Sequence, residues 1–187
     1  MNILQTALPG VLIIEPDVYR DGRGFFLETY HQEKYVEAGI PLEFVQDNYS
    51  RSGRDSLRGL HAQIHYPQGK LIRASQGEIY DVAVDIRRGS PTFSQWIGVT
   101  LSGENFKQIY IPPGFAHGFC VISETADLEY KCTELYHPND ELVISWKDSD
   151  INISWPVDAP ILSKKDQLAR CLDEQLERLP MFQGTYV

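Results

Sequence analysis

Residues 80–87 read Tyr-Asp-Val-Ala-Val-Asp-Ile-Arg. Tyr80, Val82, Val84 and Ile86 share one face of this run, and Asp81, Asp85 and Arg87 share the other. A period of two is the signature of a strand and is incompatible with an amphipathic helix. Similar short runs follow at Trp96–Leu101, Lys107–Ile111, Gly118–Ile122, Leu128–Leu135 and Leu142–Trp146. Turn-forming residues separate them: Gly77, Arg88-Gly89-Ser90-Pro91, Ser102-Gly103, Pro112-Pro113-Gly114 and Pro138-Asn139-Asp140. Many short strands at this spacing predict an all-β sandwich or barrel. Upstream, Leu12–Glu15 and Gly24–Tyr30 read as strands around the turn Asp21-Gly22. His31–Ala38 reads as a short helix ended by Gly39 and Pro41, and polar Tyr49–Asp55 as a loop. Near the C-terminus the period changes. Ser163-Lys164-Lys165-Asp166 opens a helical pattern that puts Leu168, Leu172, Leu176 and Leu179 on or near one face. The expected architecture is therefore mainly β, with short flanking helices that include a C-terminal helical segment. With no repeat, linker or low-complexity stretch, residues 1–187 read as one domain.

Charge narrows the possible ligands. The net charge of -9 argues against a nucleic acid held on a basic surface, so an anionic ligand needs a local cationic pocket. Ser56–Lys70 offers one, with Arg58, His61, His65 and Lys70 in a short, mostly uncharged run. Three scattered cysteines, Cys120, Cys132 and Cys171, are too few for a disulfide framework or a cysteine zinc site, and Cys120 and Cys132 read as buried thiols. Met1–Pro16 has neither a basic leader nor a long apolar run, and no stretch of the chain is apolar for long enough to span a bilayer. The expectation is a cytoplasmic protein with no membrane partner.

Four constellations carry chemistry, and each also has a structural reading. Alternation along Leu57–His65 puts His61 on a polar stripe with Gly59, Gln63 and His65; His61 is either a solvent-facing strand residue or a base. Strict alternation also sends Arg58 to the opposite face, so one pocket for both requires a bulge at Gly59 or a second subunit. In Pro112-Pro113-Gly114-Phe115-Ala116-His117, a turn delivers a histidine to a strand. This resembles the second cupin motif, whose histidine often binds metal. Gln63 stands where a paired ligand would be, and His61 and His65 lie four apart on a strand, so no metal is expected and His117 reads as a hydrogen bonder to ligand. Tyr130, Cys132, Glu134 and Tyr136 share parity; Tyr130 is either core or an acid, and Tyr136 either core or a stacking platform. Ser163-x-x-Asp166 is either a helix capping box or a carboxylate that orients an imidazole.

Taken together, the motifs resemble one family, the dTDP-4-dehydrorhamnose 3,5-epimerases of the metal-free cupin superfamily. The matching stretches run in order along most of the chain. They include Arg23-Gly24-Phe25-Phe26-x-Glu28, Gln46-Asp47-Asn48-x-Ser50, Leu57-Arg58-Gly59-Leu60-His61-x-Gln63 and Gln68-Gly69-Lys70. Then come Asp81–Phe93, Pro113–Phe119, Ser123–Ala126, Tyr130-Lys131, Tyr136-x-Pro138, Trp146 and Leu162-Ser163-x-Lys165-Asp166. No single piece is specific, but the ordered set is. Ala62 departs from the aromatic more usual there, and Leu142–Ser145 also differs. Beyond Leu172 the tail carries no family signal.

The resemblance implies a cupin-type jelly-roll barrel and no metal or organic cofactor. It implies a homodimer whose N-terminal strands cross into the partner. It further implies that His61 is the base, oriented by Asp166, that Tyr130 is the acid on the opposite face, and that Lys70 sits near the sugar carbonyl. Arg23, Glu28, Gln46, Asp47, Asn48, Arg58, His117, Glu141 and Lys165 would contact nucleotide or sugar, and Tyr136 would stack on thymine. The implied substrate is a dTDP-4-keto-6-deoxy sugar. Its C3 and C5 hydrogens are acidified by the C4 ketone, and inversion needs a base and an acid on opposite sides plus a positive group at the oxyanion. Relatives that invert C3 or C5 alone share these motifs; the competing readings are a 3,4-ketoisomerase of the same barrel and a non-catalytic sugar-nucleotide binder, which has no need for the His61/Asp166/Tyr130 set.

Overall fold

The computed structural model describes residues 1–40 and 43–184; Pro41, expected to end the first helix, lies outside them. Thirteen strands form among the described residues. They are β1 (Asn2–Gln5), β2 (Leu12–Glu15), β3 (Val18–Asp21), β4 (Gly24–Leu27), β5 (Gln46–Gly53), β6 (Leu57–Gln63) and β7 (Lys70–Gln76), followed by β8 (Glu78–Asp85), β9 (Trp96–Ser102), β10 (Gln108–Ile111), β11 (Phe115–Val121), β12 (Thr125–Cys132) and β13 (Glu141–Val143). Two short helices, α1 (Gln32–Glu37) and α2 (Lys164–Gln167), flank them. The strands make a six-stranded sheet ordered β1-β2-β10-β7-β12-β5, a five-stranded sheet ordered β13-β6-β11-β8-β9, and the separate hairpin β3-β4. The fold is the jelly-roll barrel that the family resemblance implied, within the all-β sandwich or barrel that the turn spacing predicted.

The two sheets pack face to face. Ile72, Ala74, Ile109 and Leu128 from the first meet Ile79, Ala83, Leu101, Phe115 and Phe119 from the second in one buried cluster. A second cluster covers the outer face of the five-stranded sheet, where Leu60, Ala62, Val82, Val84 and Leu142 meet Ile144, Ile151, Leu172 and Leu179. A third cluster buries Tyr35 and Ile40 of the α1 region against Leu12, Ile14, Leu71 and Tyr110. Strand β8 is therefore buried on both faces. Its alternation is as expected, but the polar face is not solvated: Asp81 and Asp85 are both fully buried. Asp85 accepts hydrogen bonds from Arg87, Ser90 and Thr92, so it pins the following turn. Burial alone would raise its carboxyl, but those bonds outweigh it and hold the group below the usual range.

Two expectations need correction. Tyr49–Asp55 is no loop. Tyr49–Gly53 continue β5, which pairs with β12 from Gln46 opposite Cys132 to Gly53 opposite Thr125. The strand is polar on both faces, so no hydrophobic alternation marks it. The C-terminal leucine pattern does not produce one helix either. Helix α2 stops at Gln167 because the chain after it is captured in extended form. The Ser145 amide donates to the Arg170 carbonyl at 2.9 Å, and the Leu172 amide donates to Asp148 Oδ2 at 2.6 Å. Leu172 and Leu179 enter the second cluster, whereas Leu168 is 82% exposed.

The distortion that matters for function lies in β6. His117 on β11 pairs with His61, and Phe119 pairs with Arg58, so three steps on β6 match two on β11. The extra residue is a β-bulge at Gly59. Gly59 takes φ +135°, and a Cβ there would lie 2.5 Å from Gly118 Cα and 2.9 Å from the His117 carbonyl oxygen. Only glycine fits. Gly59→Ala is expected to lower the thermal midpoint by about 5 °C or more, from backbone strain of about 1–3 kcal/mol plus the steric clash. Circular-dichroism melting checks this, and an unchanged midpoint would show that the bulge tolerates a side chain.

Candidate active site

A cleft of about 630 Å³ opens between the two sheets at one end of the barrel. With the bulge, Arg58 and His61 both line it, which resolves the conflict of parity that strict alternation imposed. From the five-stranded sheet come Arg58, His61 and His117; from the six-stranded sheet come Gln46, Asn48, Lys70 and Tyr130; Tyr136, Glu141, Lys165 and Asp166 complete the rim.

His61 Nε2 donates to Asp166 Oδ1 at 2.6 Å, because an ionised carboxylate can only accept. The Nδ1 lone pair of a neutral ring is then free for the cleft. Asp166 is held twice: its amide donates to Ser163 Oγ at 3.1 Å, and that hydroxyl donates to Asp166 Oδ2 at 2.8 Å. The capping box and the imidazole-orienting carboxylate are thus one arrangement, not alternatives. Burial would raise the Asp166 carboxyl, but hydrogen bonding and charge from His61 and the Ser163 hydroxyl hold it below the usual range.

Across the cleft, burial pushes the Tyr130 phenol up from its ordinary value, so at neutral pH it keeps its proton. Burial lowers the Lys70 ammonium, with Cys132, Glu141 and Asp81 pulling the other way. Lys70 sits opposite Cys132 in the pairing of β7 with β12, and Lys70 and Tyr130 both line the cleft. The Arg58 Nε donates to Ser52 Oγ at 3.0 Å, and no carboxylate among the described residues pairs with its guanidinium. Gln46 bonds Asn48 and receives the Tyr136 amide at 2.8 Å, fixing the exposed Tyr136 ring at the mouth. Lys165 and Glu141 form an ion pair at 2.7 Å beside it.

Three expected contact residues stand outside this cleft. Arg23 and Glu28 belong to the β3-β4 hairpin region and pair with Asp21 and Lys34. Arg23 is 91% exposed at its side chain. Asp47 faces away from the cleft, the reverse of Gln46 and Asn48, and pairs with Lys131. His65 is also elsewhere, exposed and bound to Asp140 at 2.6 Å, so it does not join His61 around an ion. Ser52 under Arg58 and Asp81 behind His117 are supporting residues that no sequence signal marked, while Ser163 supports Asp166. For Ser163 the capping pattern was the available signal.

A family model described as dTDP-4-dehydrorhamnose 3,5-epimerase matches residues 5–174. The chain belongs to this family. A dTDP-4-dehydrorhamnose 3,5-epimerase of Pseudomonas aeruginosa is 55% identical over 169 residues, covering 89% of this chain and 93% of that protein. The crystal structure of a 3,5-epimerase from Legionella pneumophila, in complex with dTDP-4-keto-L-rhamnose, superposes with a TM-score of 0.95 at 51% identity, covering 98% of this chain and 99% of that one. A 3-epimerase of Streptomyces niveus is 38% identical over 176 residues, covering 93% of this chain and 85% of that protein. As a member of the epimerase family the chain is an isomerase, and its jelly roll is the family's fold.

The lowered Asp166 carboxyl has a signed consequence. A group held below its unfolded value contributes stability above the ordinary carboxylate range, near pH 4, and loses it as pH falls through the folded value. Thermal midpoints of the wild type and Asp166→Asn, compared from pH 2 to 5, should therefore diverge in favour of the wild type as pH rises. Parallel curves would show that Asp166 titrates alike in folded and unfolded chains.

Proposed function

We propose that the protein epimerises dTDP-4-dehydro-6-deoxy-D-glucose at C3 and C5, giving dTDP-4-dehydro-L-rhamnose in dTDP-rhamnose biosynthesis. The observation that carries this reading is the opposition of His61 and Tyr130, which project into one cleft from facing sheets. Inversion at carbon requires removal of a proton on one face and delivery on the other. Neutral His61, its Nε2–H held by Asp166, takes the C–H proton, and the electron pair moves onto the C4 oxygen as an enolate. Lys70 stabilises that oxygen as charge develops, and Tyr130 returns a proton to the opposite face. Arg58 and Lys165 are placed to hold the diphosphate, Arg58 in the forked geometry suited to phosphate oxygens. Tyr136 stacks on the thymine, and Gln46, Asn48, His117 and Glu141 bind the nucleotide and sugar. The whole of this chemistry belongs to one domain and calls on no metal or organic cofactor.

The same reading includes a homodimer. Arg23 and Glu28 do not reach the cleft of their own chain, and their hairpin exposes Tyr19, Phe25 and Phe26 at 64%, 54% and 69%. A solvent-exposed aromatic ridge carrying an unburied arginine is suited to cross into a second copy and deliver Arg23 and Glu28 to its cleft. A cytoplasmic setting suits three unbridged cysteines, Cys120, Cys132 and Cys171.

Proton NMR of dTDP-4-keto-6-deoxyglucose in deuterated water tests the chemistry. The wild type should take up deuterium at both C3 and C5 with the carbonyl staying at C4. Label at one carbon alone would indicate a single-centre epimerase, and a migrating carbonyl a ketoisomerase. His61→Ala should lower uptake by ~10²–10⁴-fold, the usual contribution of a placed base, while Tyr130→Phe retains part of the exchange. Full exchange in His61→Ala would overturn the assignment. The quaternary reading is checked by sedimentation: the wild type should sediment at twice the chain mass and Phe26→Asp at the chain mass.

A further inference from the structure

Asp81 is fully buried in the barrel, and the reaction described above does not use it. Its strand neighbours on the same face, Ile79 and Ala83, belong to the apolar cluster between the sheets. Its Oδ2 accepts from His117 Nε2 at 2.8 Å, and Oδ1 bonds to no described residue. A charged group in such a place is costly unless a cation compensates it. Two lie near enough to act on it: burial raises the Asp81 carboxyl above its ordinary range, and His117 and Lys70 offset that rise only in part.

The cleft therefore holds two imidazole–carboxylate pairs side by side. His61 and His117 are direct cross-strand partners, and each turns Nε2 to its carboxylate, leaving Nδ1 for the cleft that both residues line. Their surroundings differ. Asp166 is further satisfied by the Ser163 hydroxyl and sits next to Lys165, so its need for a charged imidazole is small. Asp81 has one hydrogen-bonding partner among the described residues, so His117 is the group that must compensate it. Arg58 and His61 on β6, Lys70 on β7 and Tyr130 on β12 share the cleft with His117, while its other carboxylates, Asp166 and Glu141, are engaged by His61 and Lys165.

We infer that Asp81 is a positioning residue which, through His117, places a second N–H donor beside Lys70 at the oxygen that gains charge when the C–H proton is removed. This rests on the epimerase reading. Two environments then divide one residue type between two roles: His61 takes protons, and His117 donates a hydrogen bond.

The test is a double-mutant cycle on deuterium uptake with dTDP-4-keto-6-deoxyglucose, using Asp81→Asn, His117→Gln and the double variant. Asp81→Asn should lower kcat on the order of 10–10²-fold with KM changed by no more than about threefold, the pattern of an interaction made chiefly in the transition state. In the His117→Gln background the same substitution should change kcat by less than about twofold, because its route of action is gone. An equal loss in both backgrounds, or an unchanged kcat in the single variant, would overturn the inference. ¹⁵N NMR of imidazole-labelled wild type with dTDP bound is independent of whether the variants fold. It should show His117, assigned by its loss in His117→Gln, protonated on both nitrogens at neutral pH; a neutral ring overturns the inference equally. Were the epimerase reading itself wrong, the wild type would take up no deuterium or would move the carbonyl from C4, which separates the two failures.

Discussion

The close approach of Gly59 to Gly118 is the contact on which the site depends. A strand that alternates without interruption sends Arg58 and His61 to opposite sides of its sheet, one toward the core and one away from it. One extra residue at Gly59 reverses the sense of everything upstream of it relative to everything downstream. The price in regular pairing is a single irregular step, and the return is the Arg58 guanidinium and the His61 imidazole in one cleft. Both glycines are needed. One supplies the backbone angle, and the other leaves the space into which the first is pressed.

Electrostatics explains how an acidic protein presents a site for a doubly anionic ligand. The net charge of -9 lies mostly outside, while Arg58, Lys70, Lys165 and two imidazoles converge between the sheets. The carboxylates within reach of the cleft are engaged: Asp166 with His61 and Ser163, Glu141 with Lys165, Asp81 with His117. Those engagements leave the Arg58 guanidinium and the Lys70 ammonium without a bound acid among the described residues. A cleft walled by apolar clusters strengthens such charges relative to water.

The barrel was legible because β8, β11 and their neighbours bury apolar side chains with a period of two, and turn residues punctuate them. The residues that line the cleft were legible through an ordered set of motifs, not from any one residue. Other features left no trace. Strand β5 serves the cleft with Gln46 and Asn48 on one face and carries Asp47, Tyr49 and Arg51 on the other, so it has no apolar side to announce it. The end of α2 is dictated by Ser145 and Asp148, residues on a different segment, which no local pattern can reveal. Asp81 looked like a solvated strand residue because sequence alternation reports which residues share a face, not whether that face is wet.

The capture of the chain after α2 has a consequence for how the protein loses its activity. Asp166 belongs to the segment that crosses the outer face of the five-stranded sheet, tied down at Arg170, Leu172 and Leu179 rather than woven into either sheet. Such a strap can detach in a local opening that leaves the inter-sheet cluster untouched, and openings of that kind require less free energy than global unfolding. The base and its carboxylate thus sit in units of different cooperativity. Amide exchange along residues 163–172 reports the His61–Asp166 contact separately from the persistence of the barrel, and a molecule can keep every strand in place while that contact is lost.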